Sequence, residues 1–197
     1  MKRPQLEHVL RAAARIVNQP DFLVVGSAAI LATYDEAMLP VEATRSDEAD
    51  LACFNDDAAN SKGLAIEGSL GEGSMFHRTH GYYADGVEVR TAIAPEGWQK
   101  RLVRFEPPGA EPGRGWCLEP HDLAAAKLAA GRAKDYEFVG ALLREGLINE
   151  STLRERIDQL PANRVLPIVR REMLAWIDGR SRPRGRQSGQ ALPKRPR

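Results

Sequence analysis

The 197 residues contain two cysteines, Cys53 and Cys117. That is too few for a disulfide framework, and their apolar settings mark them as buried thiols of a cytosolic protein. No apolar run approaches the eighteen residues a transmembrane helix needs, so no membrane association is expected. The opening segment MKRPQLEHVLRAAARIV starts basic, but Glu7, His8 and Arg11 interrupt its apolar positions. It reads as an amphipathic helix and not as a signal peptide. Net charge is also scarce, at +1. That balance hides an asymmetry: the last eighteen residues, Arg180 to Arg197, hold seven basic residues and no acid, so residues 1–179 carry about −6. An acidic body does not hold a polyanion without a local basic patch or a metal ion. The tail lacks aromatics to stack bases, and the glycine-rich centre leaves no helix-turn-helix pattern. No internal repeat is visible.

What is present fits a globular α+β protein. A hydrophobic content of 43% is enough for a core. Leu6, Val9, Leu10, Ala13, Ala14 and Val17 give a helical stripe that Asn18-Gln19-Pro20 stops. Residues 22–25 read as a first strand, Ser27–Tyr34 as a short helix, Glu48–Phe54 as a second strand and 63–70 as another short helix. The centre, 71–118, is rich in turn signals and reads as short strands at Tyr82–Tyr83, Val87–Ala92, Leu102–Phe105 and Gly115–Leu118. Helices follow over 120–130, ended by Gly131, and over 133–144. Another runs from a Thr152/Glu155 capping box to Leu160, and the last covers 163–177 with Pro167 in its first turn. The expected organisation is an α/β core over 1–118, a helical part over 119–178 packed on it, and a disordered basic tail over 179–197.

Chemistry concentrates at few places. Gly26-Ser27 follows the first strand and opens the next helix; glycine lets a ligand approach the backbone, and free amides there suit an anion. Gly-Ser is also a common turn. Glu48 and Asp50, two apart on a strand, share one face and can share a divalent ion, or form a solvated acidic edge. Asp47 points away. A further carboxylate comes from Asp85, in an Asp-Gly turn signal, or from Glu88; the residues alone leave that choice open. In the segment GEGSMFHRTHG, Arg78 or the histidines are candidates for phosphate or base contacts, against a plain structured loop. Lys127 sits in an apolar helix face and either snorkels or meets an anion, followed by Arg132 and Asp135.

Taken together, FLVVGSAAIL, RSDEADL, the GEGSMFHRTHGYYADGV loop, IAPEGW and CLEPHDLAAAKLAAGRAKDYEFV occur in order over residues 5–150. They resemble the nucleotidyltransferase superfamily with the polymerase-beta-like core. The closer resemblance is to the bacterial nucleotidyltransferase-like family DUF6036, itself similar to toxin-type nucleotidyltransferases of the AbiEii kind. The resemblance implies a mixed sheet with a helical C-terminal part. It implies Mg²⁺ (or Mn²⁺) held by Glu48 and Asp50, with Asp85 as the added carboxylate. Gly26 and Ser27 would hold the triphosphate of an NTP, Lys127 and Asp135 would assist, and Arg78 and Arg132 would bind nucleotide. The reaction would move a nucleoside monophosphate to a hydroxyl on RNA or protein. Active relatives carry aspartate where this chain has Glu48, whose extra methylene moves the carboxylate by about an ångström while Mg²⁺ demands short contacts. Two alternatives follow: a degenerate nucleotide-binding relative, and a component that binds a partner protein in a toxin–antitoxin-like pair.

Overall fold

The structure, a computed structural model, describes residues 1–181. The expectation of a disordered tail falls largely on residues 182–197, outside the described residues. Its first residues depart from it, because Gly179–Ser181 continue the last helix.

Helix α1 (Arg3–Val17) buries Leu6, Val9, Leu10, Ala13 and Ala14, and Asn18 closes it in the left-handed conformation. Strand β1 (Asp21–Val25) leads into a 3-10 helix, Ser27–Ala32, within the short helix expected over Ser27–Tyr34. The short helix α2 (Val41–Thr44) precedes β2 (Glu48–Cys53). Next come α3 (Ser61–Leu70) and α4 (Met75–His80), then β3 (Tyr83–Val87), β4 (Val103–Phe105) and β5 (Arg114–Cys117). The sheet is mixed, with order β3-β2-β1-β5-β4. β1 runs antiparallel to β2 and parallel to β5, β2 is parallel to β3, and β4 is antiparallel to β5. Helices α5 (Pro120–Ala130), α6 (Ala133–Arg144), α7 (Glu150–Asp158) and α8 (Pro167–Ser181) complete the chain. One buried cluster joins strand residues such as Phe22, Leu23 and Leu51 to Leu123, Phe138, Leu153 and Met173 of the later helices.

Several local readings are corrected. Asp85-Gly86 is no turn: it lies inside β3, where a side chain on Gly86 would collide with the Gly63 carbonyl of α3. Close helix-on-strand packing selects the glycine, not a hairpin. The expected strand over 87–92 breaks into a 3-10 turn at Val89–Thr91. Helix α7 is capped three residues earlier than the Thr152/Glu155 pattern suggests, by the Asn149 side chain accepting from Thr152 N at 2.8 Å. The last helix, expected over 163–177, starts at Pro167, and Leu166 before it is exposed.

Candidate functional site

β1 ends at Gly26, whose φ of 69° is a left-handed value natural to glycine. The antiparallel register sets Val25 beside Asp50, and a Cβ on Gly26 would overlap the Asp50 carboxylate. The glycine is therefore required twice, for the turn and for the space the carboxylate occupies. Strand periodicity puts Glu48 on the same face as Asp50. Both line a cavity of ≈ 280 Å³ together with Gly26, Ser27 and Ser46. Lys127, Arg132 and Lys134 bring positive charge to the same cavity. Val87, Ala92, Ile93, Leu118, Leu123 and Ala126 give it an apolar wall.

Electrostatics at the carboxylates are unfavourable without a cation. Burial, then the charge and hydrogen bond of Glu48, then Asp85, push the Asp50 pKa up to about 7, with Lys127 opposing. Asp85 is directly opposite Asp50 in the β2–β3 register. Burial and then the charges of Glu48 and Glu67 raise its pKa. It nevertheless does not line the cavity. Among the described residues, no three Asp, Glu, His or Cys side chains are grouped so as to hold a metal ion. The fit to Mg²⁺ is thus that of two carboxylates with hard oxygen donors, Glu48 and Asp50, whose remaining coordination would come from phosphate and water. Asp85 is not placed as a third ligand. Glu88, the other candidate, lies beyond β3 and accepts from Arg90 at 2.8 Å.

The cationic side is built from α5 and α6. Lys127, 6% exposed, donates Nζ–H to Asp135 Oδ1 at 3.1 Å and lies 4.6 Å from the centre of the Phe138 ring. Arg132 Nε donates to Asp135 Oδ2 at 2.7 Å. Burial works against the Asp135 carboxylate, but hydrogen bonds and charge from Arg132 and Lys127 outweigh it and hold its pKa below the usual range. Lys127 shifts down because burial exceeds what its shared carboxylate returns. Asp135 is fully buried and acts as an anchor that aims the two cations; it does not line the cavity. Arg78 does not line it either: its Nη1 donates to Gly73 O at 2.6 Å, on its own loop.

The segment around Arg78 is ordered for other reasons. Ser74 Oγ accepts from His77 N at 3.1 Å and caps α4. Phe76, His80, Tyr82 and His8 form a cluster of tilted and edge-on rings. His77 Nδ1 accepts from Gly73 N, and its ring packs 4.7 Å from Tyr83. Sequence reasoning missed Ser46 and Lys134, although each lies within a recognised block, RSDEADL and GRAKDYEFV. It also missed the wall Thr91–Ile93, which carried no chemical signal.

A family model described as "Nucleotidyltransferase of unknown function (DUF6036)" matches residues 5–164. The chain belongs to the DUF6036 family. Comparison with curated proteins and with solved structures found no match. In this DUF6036 chain the family match spans the cavity from Gly26 to Lys134 and continues through α7. No helix among the described residues is long and apolar enough to cross a membrane.

Proposed function

We propose that this chain transfers a nucleoside monophosphate from a Mg²⁺-bound (or Mn²⁺-bound) NTP to a hydroxyl of RNA or protein. The carrying observation is the cavity itself, which the Glu48–Asp50 pair, the cations Lys127, Arg132 and Lys134, and the Gly26-Ser27 turn line together. The turn offers close backbone approach to phosphate. Arg132 and Lys134 bind phosphate charge, and Asp135 fixes the orientation of Arg132 and Lys127 before substrate arrives. Glu48 and Asp50 would hold the metal, which when bound neutralises phosphate charge. The acceptor oxygen forms a bond to the α-phosphorus, the bond from that phosphorus to pyrophosphate breaks, and the hydroxyl proton leaves to water. The apolar wall takes the nucleoside.

A second reading has its own support. Glu48 stands at the first acidic position and Asp85 lies off the cavity, which favours a relative that binds nucleotide without turnover. Titration calorimetry with Mg·ATP, Mg·GTP, Mg·CTP and Mg·UTP, set beside turnover of each, separates the two. Binding without pyrophosphate release supports the second reading, and no binding of any nucleotide rejects both.

A further inference from the structure

Beside the cavity lies a second concave surface, ≈ 410 Å³, that the nucleotide does not need. Two stretches of chain contribute residues to both. Arg45 lines the groove while the next residue, Ser46, lines the cavity. Along α6, Arg132 and Lys134 at its start face the cavity, and Tyr136 and Arg144 further on face the groove. Arg180 of α8 closes the far side. Its guanidinium donates to Gly140 O at 2.8 Å and lies 5.0 Å from the Trp176 ring centre. Glu137 pairs with Arg45 at 3.1 Å, and Arg144 pairs with Glu42 at 3.2 Å and with its neighbour Glu145 at 3.2 Å. These pairs are exposed or partly so, and such pairs contribute little, so a phosphate can compete for either arginine.

We propose that this groove binds a nucleic-acid strand and presents its hydroxyl to the cavity as the acceptor. The proposal rests on the nucleotidyl-transfer reading and chooses nucleic acid over protein within it. Residues 1–179 carry about −6, yet the strip from Arg132 and Lys134 through Arg45, Arg144 and Arg180 holds more cations than acids. The sequence after Ser181 adds six cations and no acid. A cationic strip on an acidic body complements a phosphate backbone, which carries negative charge at every nucleotide along its length. Tyr136, partly exposed on the groove, has its ring 5.1 Å from that of Trp176 in an edge-on contact and gives the groove an aromatic edge.

The test uses the full chain and a fluorescein-labelled single-stranded 20-nucleotide RNA, followed by anisotropy across a potassium chloride series. The Arg45→Gln/Arg144→Gln variant should bind the RNA about tenfold more weakly, with a shallower salt slope. The Glu42→Gln/Glu137→Gln variant should bind it about threefold more tightly, a gain that misfolding cannot produce. Mg·ATP affinity should change less than about twofold in both, because none of the four residues lines the cavity. RNA affinity unchanged in both variants overturns the groove assignment while leaving nucleotidyl transfer standing. Label from an NTP appearing on protein, with RNA untouched, overturns the acceptor assignment. Absence of NTP binding in the unmodified chain removes the nucleotidyl-transfer reading, and the acceptor role with it.

Discussion

Asp50 is the residue on which the site turns. Its carboxyl has an ordinary value in the unfolded chain and about 7 in the folded protein. The unfolded state therefore releases its proton first as pH rises, so this group's contribution to stability is full below about pH 4 and lost as pH rises towards 7. Without divalent cation, Asp50→Asn should remove that slope and raise stability at pH 8 by about 1–3 kcal/mol, read by urea denaturation at pH 5 and pH 8. Loss of stability at pH 8 in that variant would contradict the crowding account. Gly26→Ala should act in the opposite direction, costing about 1–3 kcal/mol, because the new methyl meets the Asp50 carboxylate at a positive φ. Thermal melting with and without Mg·ATP would show it; an unchanged melting temperature would contradict the close approach. Gly26, Glu48 and Asp50 were legible in sequence because strand periodicity alone fixes a shared face. The place of Asp85 was not, because an Asp-Gly pair signals a turn unless a neighbouring helix demands the glycine, and that helix is remote in sequence.

At the scale of elements, two buried carboxylates tie the later helices to one another and to the segment before β4. Asp122 in α5 is fully buried and receives Arg101 Nε at 2.8 Å and Arg101 Nη2 at 3.0 Å, with Arg156 of α7 3.0 Å away. Burial raises its pKa, against the pull of Arg101 and Arg156. It ties the segment after the cavity wall to two helices, and Glu96 N donating to Gln159 O at 2.8 Å adds to that tie. Asp122→Ala should cost about 3–5 kcal/mol by stranding two arginines, seen as a lower urea midpoint. A change under about 1 kcal/mol would mean that water replaces the carboxylate. The second anchor is Asp135. Asp135→Ala leaves Lys127 buried and unpaired and should destabilise more than Lys127→Met, which keeps the apolar stem and leaves Arg132 on Asp135. Equal losses in urea denaturation would contradict the anchoring role. The helices α5 and α6 were legible from Pro120, Gly131 and their apolar spacing. α4 was not, because its cap Ser74 and stop Gly81 sit among glycines that read as loop, and six residues are too few to show a period. For Lys127 the sequence leaves open whether it snorkels or meets an anion; the turn between α5 and α6 brings Asp135 to it.

For the molecule as a whole, strands and later helices share one buried cluster. Unfolding followed by far-ultraviolet circular dichroism and by fluorescence of Trp98, Trp116 and Trp176 should therefore give coincident transitions, whereas separated midpoints would mean the helical part melts by itself. The mixed sheet was legible as a class, while its strand order was not, since pairing of β1 with β5 is set by packing across some ninety intervening residues. Metal-assisted nucleotidyl transfer by Glu48 and Asp50 can be checked by incubating the intact chain and Asp50→Ala with each α-labelled NTP, Mg²⁺ or Mn²⁺, and total cellular RNA and protein. Label should be transferred by the intact chain, with a loss of at least about a hundredfold in Asp50→Ala. Equal transfer by the two proteins would contradict it.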